Sequence, residues 1–78
     1  MLNHKQTEAF FAVAQTGSFD LAAHVLNITA SAVTLRVQQL EKQLGHLLLV
    51  RDRPCRTTQA GETLVRYLQH QKLLEQSL

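Results

Sequence analysis

The sequence predicts a mainly helical fold with one short β-hairpin and a long final helix. Apolar residues recur at the spacing of a buried helix face in four stretches of the 78-residue chain. Between the third and fourth stretches, a short apolar run leads into Pro54 and a basic segment, the pattern of two strands joined by a turn. No proline interrupts residues 59–77, which are therefore predicted to form one helix.

The first predicted helix, roughly Lys5 to Gln15, supplies core residues. Its inward stripe has the i, i+3, i+4 and i+7 spacing of one helix face and consists of Thr7, Phe10, Phe11 and Ala14, with Val13 beside them. The phenylalanines lack the stacking pattern of a platform for single-stranded nucleic acid, so a core role is the simplest interpretation. Gly17 is expected to end the helix.

Residues 18–45 predict two helices joined by a turn of three residues. Ser18 suits the N-cap of the first helix, because its hydroxyl can accept a hydrogen bond from a free backbone N–H of the first turn. The inward stripe of this helix comprises Phe19, Ala22, Ala23 and Leu26. Asn27 tolerates the left-handed conformation of a helix end, and Thr29 can cap the next helix. So short a turn forces the helices to cross steeply, as in a helix-turn-helix DNA-binding motif.

The second helix of this pair is predicted from Ala30 to Leu44 and ends at Gly45. Its inward stripe is Val33, Val37, Leu40 and Leu44. A rotation of about 100° per residue places on the opposite face Ser31, Thr34, Leu35, Gln38 and Lys42. Polar side chains of this size can hydrogen-bond base edges or phosphates in a DNA major groove. Each alone would be an ordinary solvated residue, and the arrangement of both helices is what favours DNA binding.

A hairpin with a basic tip, residues 47–58, is predicted next and is called the wing below. Residues 47–51 form its first strand, residues 52–55 the turn and residues 56–58 the returning strand. Two strands alone are marginally stable, so the wing must pack against the helices. Its arginines are Arg51, Arg53 and Arg56. At the tip they can neutralise DNA phosphates, and the alternative is a solvated basic loop.

The final helix is predicted from Gln59 to Ser77, with Thr58 as its N-cap. One stripe advances by alternating steps of four and three, as in a coiled-coil seam, and consists of Ala60, Leu64, Tyr67, Gln71, Leu74 and Leu78. Val65 and Leu68 widen this apolar face. A helix of about 19 residues is roughly 28 Å long, too long for so small a body to cover, so its outer half needs a partner. The alternative is a helix that folds back as a cover within one chain.

The composition argues against several classes of function. Lys and Arg exceed Asp and Glu by two, a mildly basic balance that is compatible with a polyanionic partner. The four histidines show no ligand spacing and Cys55 has no cysteine partner, so no metal site is expected. Cys55 is either incidental or redox-active. No catalytic or cofactor-binding motif appears. Without a long apolar run or a signal peptide, the protein is expected to be cytoplasmic and not membrane-bound.

Three segments of the chain resemble the N-terminal DNA-binding domain of LysR-type transcriptional regulators. They are FFAVAQTGSFDLAAHVLNIT, SAVTLRVQQLEKQLG and LLLVRDRPCRTTQAGETL, in the order and spacing of that family, and they cover nearly the whole chain. The LLVR, the turn with proline and the RTTQAG look most similar to the branch that controls basic amino acid export in bacteria. The resemblance implies a winged helix-turn-helix domain over residues 1–58 and a linker helix over residues 59–78 through which two subunits pair.

The residues and the resemblance together give the expected contacts. Those with DNA are Thr29, Ala30, Ser31, Thr34, Leu35, Arg36, Gln38, Arg51 and Arg53, and those between subunits are Leu64, Tyr67, Leu68 and Leu74. Ala30 stands where the family commonly has a base-contacting glutamine, and Leu35 where a polar or basic residue is usual. The family's operator preference is therefore not carried over. Leu35 could contact a thymine methyl group or be an exposed leucine without a role.

The sequence thus predicts a homodimeric domain that binds double-stranded DNA sequence-selectively to regulate transcription, without a cofactor. The alternative is a small helical protein-interaction module that pairs through its last helix and binds DNA only weakly. A salt titration of duplex binding would distinguish the two, and an enzyme is a distant third. In the family, a small-molecule effector acts through a domain that would follow residue 78. The chain is therefore expected to be a piece of a longer protein or a natural fragment.

Overall fold

The computed structural model describes residues 2–77, which form four helices and two short strands. In chain order these are α1 (His4–Thr16), α2 (Phe19–Leu26), α3 (Ala30–Leu44), β1 (Leu49–Val50), β2 (Arg56–Thr57) and α4 (Gln59–Ser77). The strands pair antiparallel, with Leu49 opposite Thr57 and Val50 opposite Arg56. The predicted fold class, mainly helical with one short hairpin, is confirmed.

The predicted caps define the helix boundaries around the turn between α2 and α3. The Ser18 hydroxyl accepts a hydrogen bond from the N–H of Leu21 at 3.1 Å, and the Thr29 hydroxyl accepts one from the N–H of Ala32 at 3.1 Å. Asn27 ends α2 in the left-handed conformation, with φ 60°. The turn of residues 27–29 is therefore closed at both ends by its own residues. Helix α1 extends one residue further than predicted at each end.

The core lies where α1, α2 and α3 meet, and the wing and the first half of α4 close it. Its largest fully buried side chains are Phe10, Val13, Val33, Val37, Leu40 and Leu48. Each such side chain contributes about 1.5–3 kcal/mol by leaving water. Ala22 and Ala23 are also buried, and their small side chains let α2 approach its neighbours closely. Leu44, predicted to complete the inward stripe of α3, is instead 37% exposed, because the other helices cover the last turn of α3 only in part.

The strands are shorter than the predicted ranges of residues 47–51 and 56–58. The N–H of Leu48 donates to the Glu41 carboxylate of α3 at 2.8 Å, so it does not extend the ladder between the strands. On the returning side, the Thr58 hydroxyl accepts a hydrogen bond from the N–H of Gly61 at 3.0 Å and caps α4, as predicted. Each strand has two residues, and beyond them the N–H of Thr58 donates to the carbonyl oxygen of Leu48 at 3.0 Å.

Helix α4 is divided between the body and the solvent. Leu64, predicted as a subunit contact, is only 9% exposed and belongs to the core of its own chain, and Leu68 packs against that core. Tyr67 and Leu74, by contrast, are 52% and 54% exposed. Leu78, the last residue of the predicted seam, lies outside the described residues. Every helix within residues 2–77 is too short or too polar to span a lipid bilayer.

Candidate nucleic-acid interface

The exposed face of α3 carries the side chains that were predicted to meet DNA. Val33, Val37 and Leu40 are fully buried and so define the opposite, inward face. The predicted outer residues are exposed, or in one case half-buried: Ser31, Thr34, Leu35, Gln38 and Lys42. All but the leucine are polar. This face can therefore enter a DNA groove without displacing a core residue.

Three further predicted contacts, at Thr29, Ala30 and Arg36, lie outside this face. Thr29 is exposed, and its hydroxyl already serves as the N-cap of α3. Ala30 is half-buried and packs against the core. Arg36 is half-buried and lies two residues from both Thr34 and Gln38, about 200° around the helix from each. Arg36 is therefore on the other flank of α3 from Thr34 and Gln38.

The three wing arginines have different surroundings. Arg56 forms an ion pair with Asp52, with 2.7 Å between nitrogen and oxygen, which offsets its charge. The guanidinium of Arg51 lies over the ring of Phe19, 4.6 Å from the ring centroid. Arg53 is exposed and makes no ion pair within residues 2–77. Arg51 and Arg53 are therefore the wing cations that remain available to bind phosphate.

Arg51 lies between two surface grooves and connects them. The first groove is lined by Gln38 and Lys42 of α3 on one side and by Leu47 and Arg51 on the other. The second is lined by residues 18–21 at the start of α2 and by residues 51–55 of the wing. Gln38 and Lys42 of α3, the start of α2, and Arg51 and Arg53 of the wing therefore line one continuous surface.

Two contacts that hold the wing in place were not predicted from the sequence. Glu41 of α3 is buried, and its carboxylate accepts hydrogen bonds from two N–H groups at the start of the wing, at 2.8 and 3.4 Å. The N–H of Cys55 donates to the carbonyl oxygen of Gly17 at 2.8 Å. Glu41 follows Val37 by four residues, so the helical period could have placed it on the inward face. The Cys55 contact is between backbone atoms and has no sequence signal.

Two crossing helices with a three-residue turn, packed on a third helix and followed by a basic two-stranded wing, define a winged helix-turn-helix. This is a class of DNA-binding domain. Residues 4–62 match the family model described as bacterial regulatory helix-turn-helix protein, lysR family. The chain belongs to this family, and the predicted resemblance is confirmed.

Curated relatives agree with this assignment. The chain is 47% identical over 74 residues to the HTH-type transcriptional regulator LysG of Mycobacterium tuberculosis. The aligned region covers 95% of this chain and 24% of LysG. The chain is 40% identical over 77 residues to the HTH-type transcriptional regulator ArgP of Vibrio cholerae, and the aligned region covers 99% of this chain and 26% of ArgP. These relatives are transcriptional regulators and not enzymes. The chain spans about a quarter of their length.

Solved structures share the fold along almost the whole chain. Full-length LysG from Corynebacterium glutamicum with bound effector Arg superposes with a TM-score of 0.91 at 36% identity, covering 97% of this chain and 26% of that one. The BenM DNA-binding domain in complex with benA site 1 DNA superposes with a TM-score of 0.88 at 31% identity. The match covers 97% of this chain and 88% of the BenM domain. The chain is therefore a DNA-binding domain of the transcription-regulator type, as predicted.

Proposed function

We propose that this domain binds double-stranded DNA sequence-selectively, with α3 in the major groove and the wing against the sugar-phosphate backbone. The observation that carries the proposal is the groove that Gln38 and Lys42 of α3 share with Arg51 of the wing. A major groove about 12 Å wide admits one α-helix, so a helix seated there brings the adjoining wing to the flanking phosphates. Base-facing and phosphate-facing side chains are thus available to one duplex at the same time.

The proposed contacts fall into two groups. Base edges are assigned to the outer face of α3, namely Ser31, Thr34, Leu35 and Gln38. Phosphates are assigned to Thr29 at the start of α3, to Arg36 on the other flank of α3, and to Arg51 and Arg53 of the wing. Ala30 is proposed to contribute by its small size, which lets the start of α3 approach the duplex closely. Phosphate contacts supply affinity and register, whereas base contacts supply selectivity, so the two groups are separable by experiment.

A salt titration tests the phosphate contacts. The slope of log K against log salt is about −0.9 for each phosphate neutralised on B-DNA. Arg51→Ala or Arg53→Ala is expected to weaken binding to specific and non-specific duplexes alike and to reduce that slope by about one unit. Arg66→Ala is the matched control, because Arg66 is exposed but lines a different groove. Equal slopes for the wild type and the wing variants would contradict the proposal and favour a protein-interaction module that binds DNA only weakly.

A selection of bound sequences from random duplex DNA tests the base contacts. Thr34→Ala and Gln38→Ala are expected to change the preferred sequence while leaving the salt slope unaltered. Loss of a good base contact corresponds to about 1–3 kcal/mol of discrimination. Gln43→Ala, an exposed position in the last turn of α3, is the control and should retain the wild-type preference. An unchanged preference in both test variants would remove these residues from the proposed interface.

We propose in addition that two such domains pair through the exposed part of α4. The support is the coiled-coil spacing of Tyr67 and Leu74 together with their exposure, with Leu68 at the margin of the same face. Leu64 is buried in the core of its own chain and thereby holds α4 against the body. Pairing about a two-fold axis would present two copies of α3 to the two halves of a palindromic site.

Regulation is proposed to involve more than this domain. Control by a small molecule is assigned to a domain other than the one that these residues form, because the surface described above is proposed to bind DNA. Since the proposed ligand is bacterial DNA, the proposed place of action is the cytoplasm.

A further inference from the structure

Leu35 is apolar in a position where the fold does not require an apolar residue. Within α3, whose residues are all described, the other members of the outer face are polar, yet the Leu35 side chain is 55% exposed. A rotation of about 100° per residue places it opposite the buried stripe of Val33 and Val37. It is not among the partly buried hydrophobic residues that pack against the core, unlike Leu26. Packing within the chain therefore does not account for a leucine here.

We propose that Leu35 selects a thymine by packing against its C5 methyl group. The inference rests on the proposed function, since it requires α3 to lie in the major groove. Guanine and adenine present only hydrogen-bond donors and acceptors at their major-groove edges, and cytosine presents an amino donor and a C5–H, whereas thymine adds a bulky apolar methyl group. A leucine pressed against a donor or acceptor removes its water without replacing the hydrogen bond, which is unfavourable. The same leucine against a methyl group buries apolar surface on both molecules.

The neighbours of Leu35 place the thymine within the contacted base pairs. Ser31 lies one helical turn before Leu35 and Gln38 one turn after it, and both are exposed. Their hydrogen bonds would hold the helix at a fixed depth and register in the groove. The selected thymine is therefore expected inside each half-site, between positions that depend on these polar residues.

Replacement of thymine by 2′-deoxyuridine, which lacks only the methyl group, tests the contact. The probe is the duplex that the wild-type chain selects from random-sequence DNA, with each thymine replaced in turn. At one thymine of a half-site we expect binding about fourfold weaker, which corresponds to about 0.8 kcal/mol for one buried methyl group. With Leu35→Ala, the thymine and uracil duplexes should bind equally at that position, because the leucine that senses the methyl group is gone.

Two controls separate this contact from general effects of the replacement. Gln43→Ala, exposed near the end of α3, should retain the full uracil effect. The converse probe places 5-methylcytosine or cytosine at the same position, and the wild type should prefer the methylated duplex by a similar factor while Leu35→Ala should not. Because Leu35 is exposed, its replacement by alanine is not expected to unfold the chain, and a thermal melt checks this.

The outcomes distinguish the inference from the function on which it rests. A wild-type chain whose selected site contains no thymine, or whose uracil effect is absent or unchanged in Leu35→Ala, overturns the methyl contact and leaves the proposed function intact. A wild-type chain that enriches no sequence at all overturns sequence-selective binding, and the inference falls with it. A uracil effect confined to one position and lost in Leu35→Ala supports the proposal.

Discussion

The guanidinium of Arg51 is held in place by an aromatic ring. It lies 4.6 Å from the centroid of Phe19, the first residue of α2, and this contact spans the groove between α2 and the wing. At an exposed site such a contact is worth about 0.5–1 kcal/mol, too little to decide the stability of the fold. Its consequence is for binding, because an arginine that is already restrained loses less side-chain entropy when it meets a phosphate.

Substitution of Phe19 tests whether the ring positions Arg51 for DNA. Phe19→Leu retains apolar bulk against the core but removes the ring face, so duplex binding is expected to weaken by about two- to fivefold, the equivalent of about 0.5–1 kcal/mol. In an Arg51→Ala background the same substitution should cause no further loss. Phe19→Tyr keeps the ring and should bind like the wild type. An equal loss in both backgrounds would mean that Phe19 acts through the fold and not through Arg51.

The start of α4 lies against the wing so closely that only glycine fits there. A Cβ atom added at Gly61 would collide with the carbonyl oxygen of Leu48 and would lie 3.2 Å from Cβ of Thr57. The carbonyl belongs to the backbone of the wing, beside the N–H that Glu41 binds, so it cannot rotate away as a side chain could. The orientation of the wing therefore depends on a close approach between a helix and a strand.

Gly61→Ala separates this packing effect from helix propensity. In an unobstructed helix the change would stabilise the chain by about 0.5–1 kcal/mol. Here overpacking is expected to dominate and to destabilise the chain by about 1–3 kcal/mol. Urea unfolding measures the difference, and Glu62→Ala at the exposed neighbouring position is the control, with a change of less than about 0.5 kcal/mol expected. A stabilised Gly61→Ala chain would show that the wing moves aside freely.

The elements that were predicted correctly depend on short-range signals. The caps at Ser18, Thr29 and Thr58 act within three residues of their own position, and the stripes of α1 and α3 follow the helical period. The placement of the wing was not predictable in the same way. It depends on Glu41 and Gly61, which contact Leu48 although they lie several residues from it in the sequence. A glutamate or a glycine at such a position does not by itself predict a contact of this kind. Most of the exposed polar face of α3 was therefore predicted, but the attachment of α3 to the wing was not.

The molecule consists of a body, formed by α1, α2, α3 and the wing, and of α4, which packs against that body with its first half and continues past these core contacts. Leu64 and Leu68 attach α4 to the body, and Lys72 lies over the ring of Phe11 at 4.4 Å from the centroid, which ties a later turn of α4 to α1. The alternative interpretation, a cover within one chain, thus describes the part of α4 that carries Leu64 and Leu68, and pairing between subunits stays a proposal. Helix α4 is a cover along one side, while Tyr67 and Leu74 on another remain exposed. These contacts give the proposed pairing face a defined orientation relative to α3.

A charge on the exposed part of α4 tests the proposed pairing. Leu68 is a poor site for it, because Leu68 packs against the core and its replacement would also destabilise the fold. Leu74→Glu is preferable, since an interface residue would have to bury the new carboxylate, and the chain is expected to shift toward the monomer. Gln69→Glu adds the same charge about 200° around the helix from Tyr67 and is the control. Sedimentation at several concentrations measures the shift.

The same variant connects assembly to DNA binding. Two copies of α3 related by a two-fold axis contact half-sites about one helical turn of DNA, or a multiple of it, apart. Leu74→Glu should therefore lose most of its affinity for a palindromic duplex and retain weak binding to a single half-site, whereas Gln69→Glu should bind both as the wild type does. A wild-type chain that stays monomeric at high protein concentration, yet binds the full site without cooperativity, would contradict pairing through α4. In that case Tyr67 and Leu74 would be surface residues of a monomeric domain, and half-site spacing would have to be imposed from outside it.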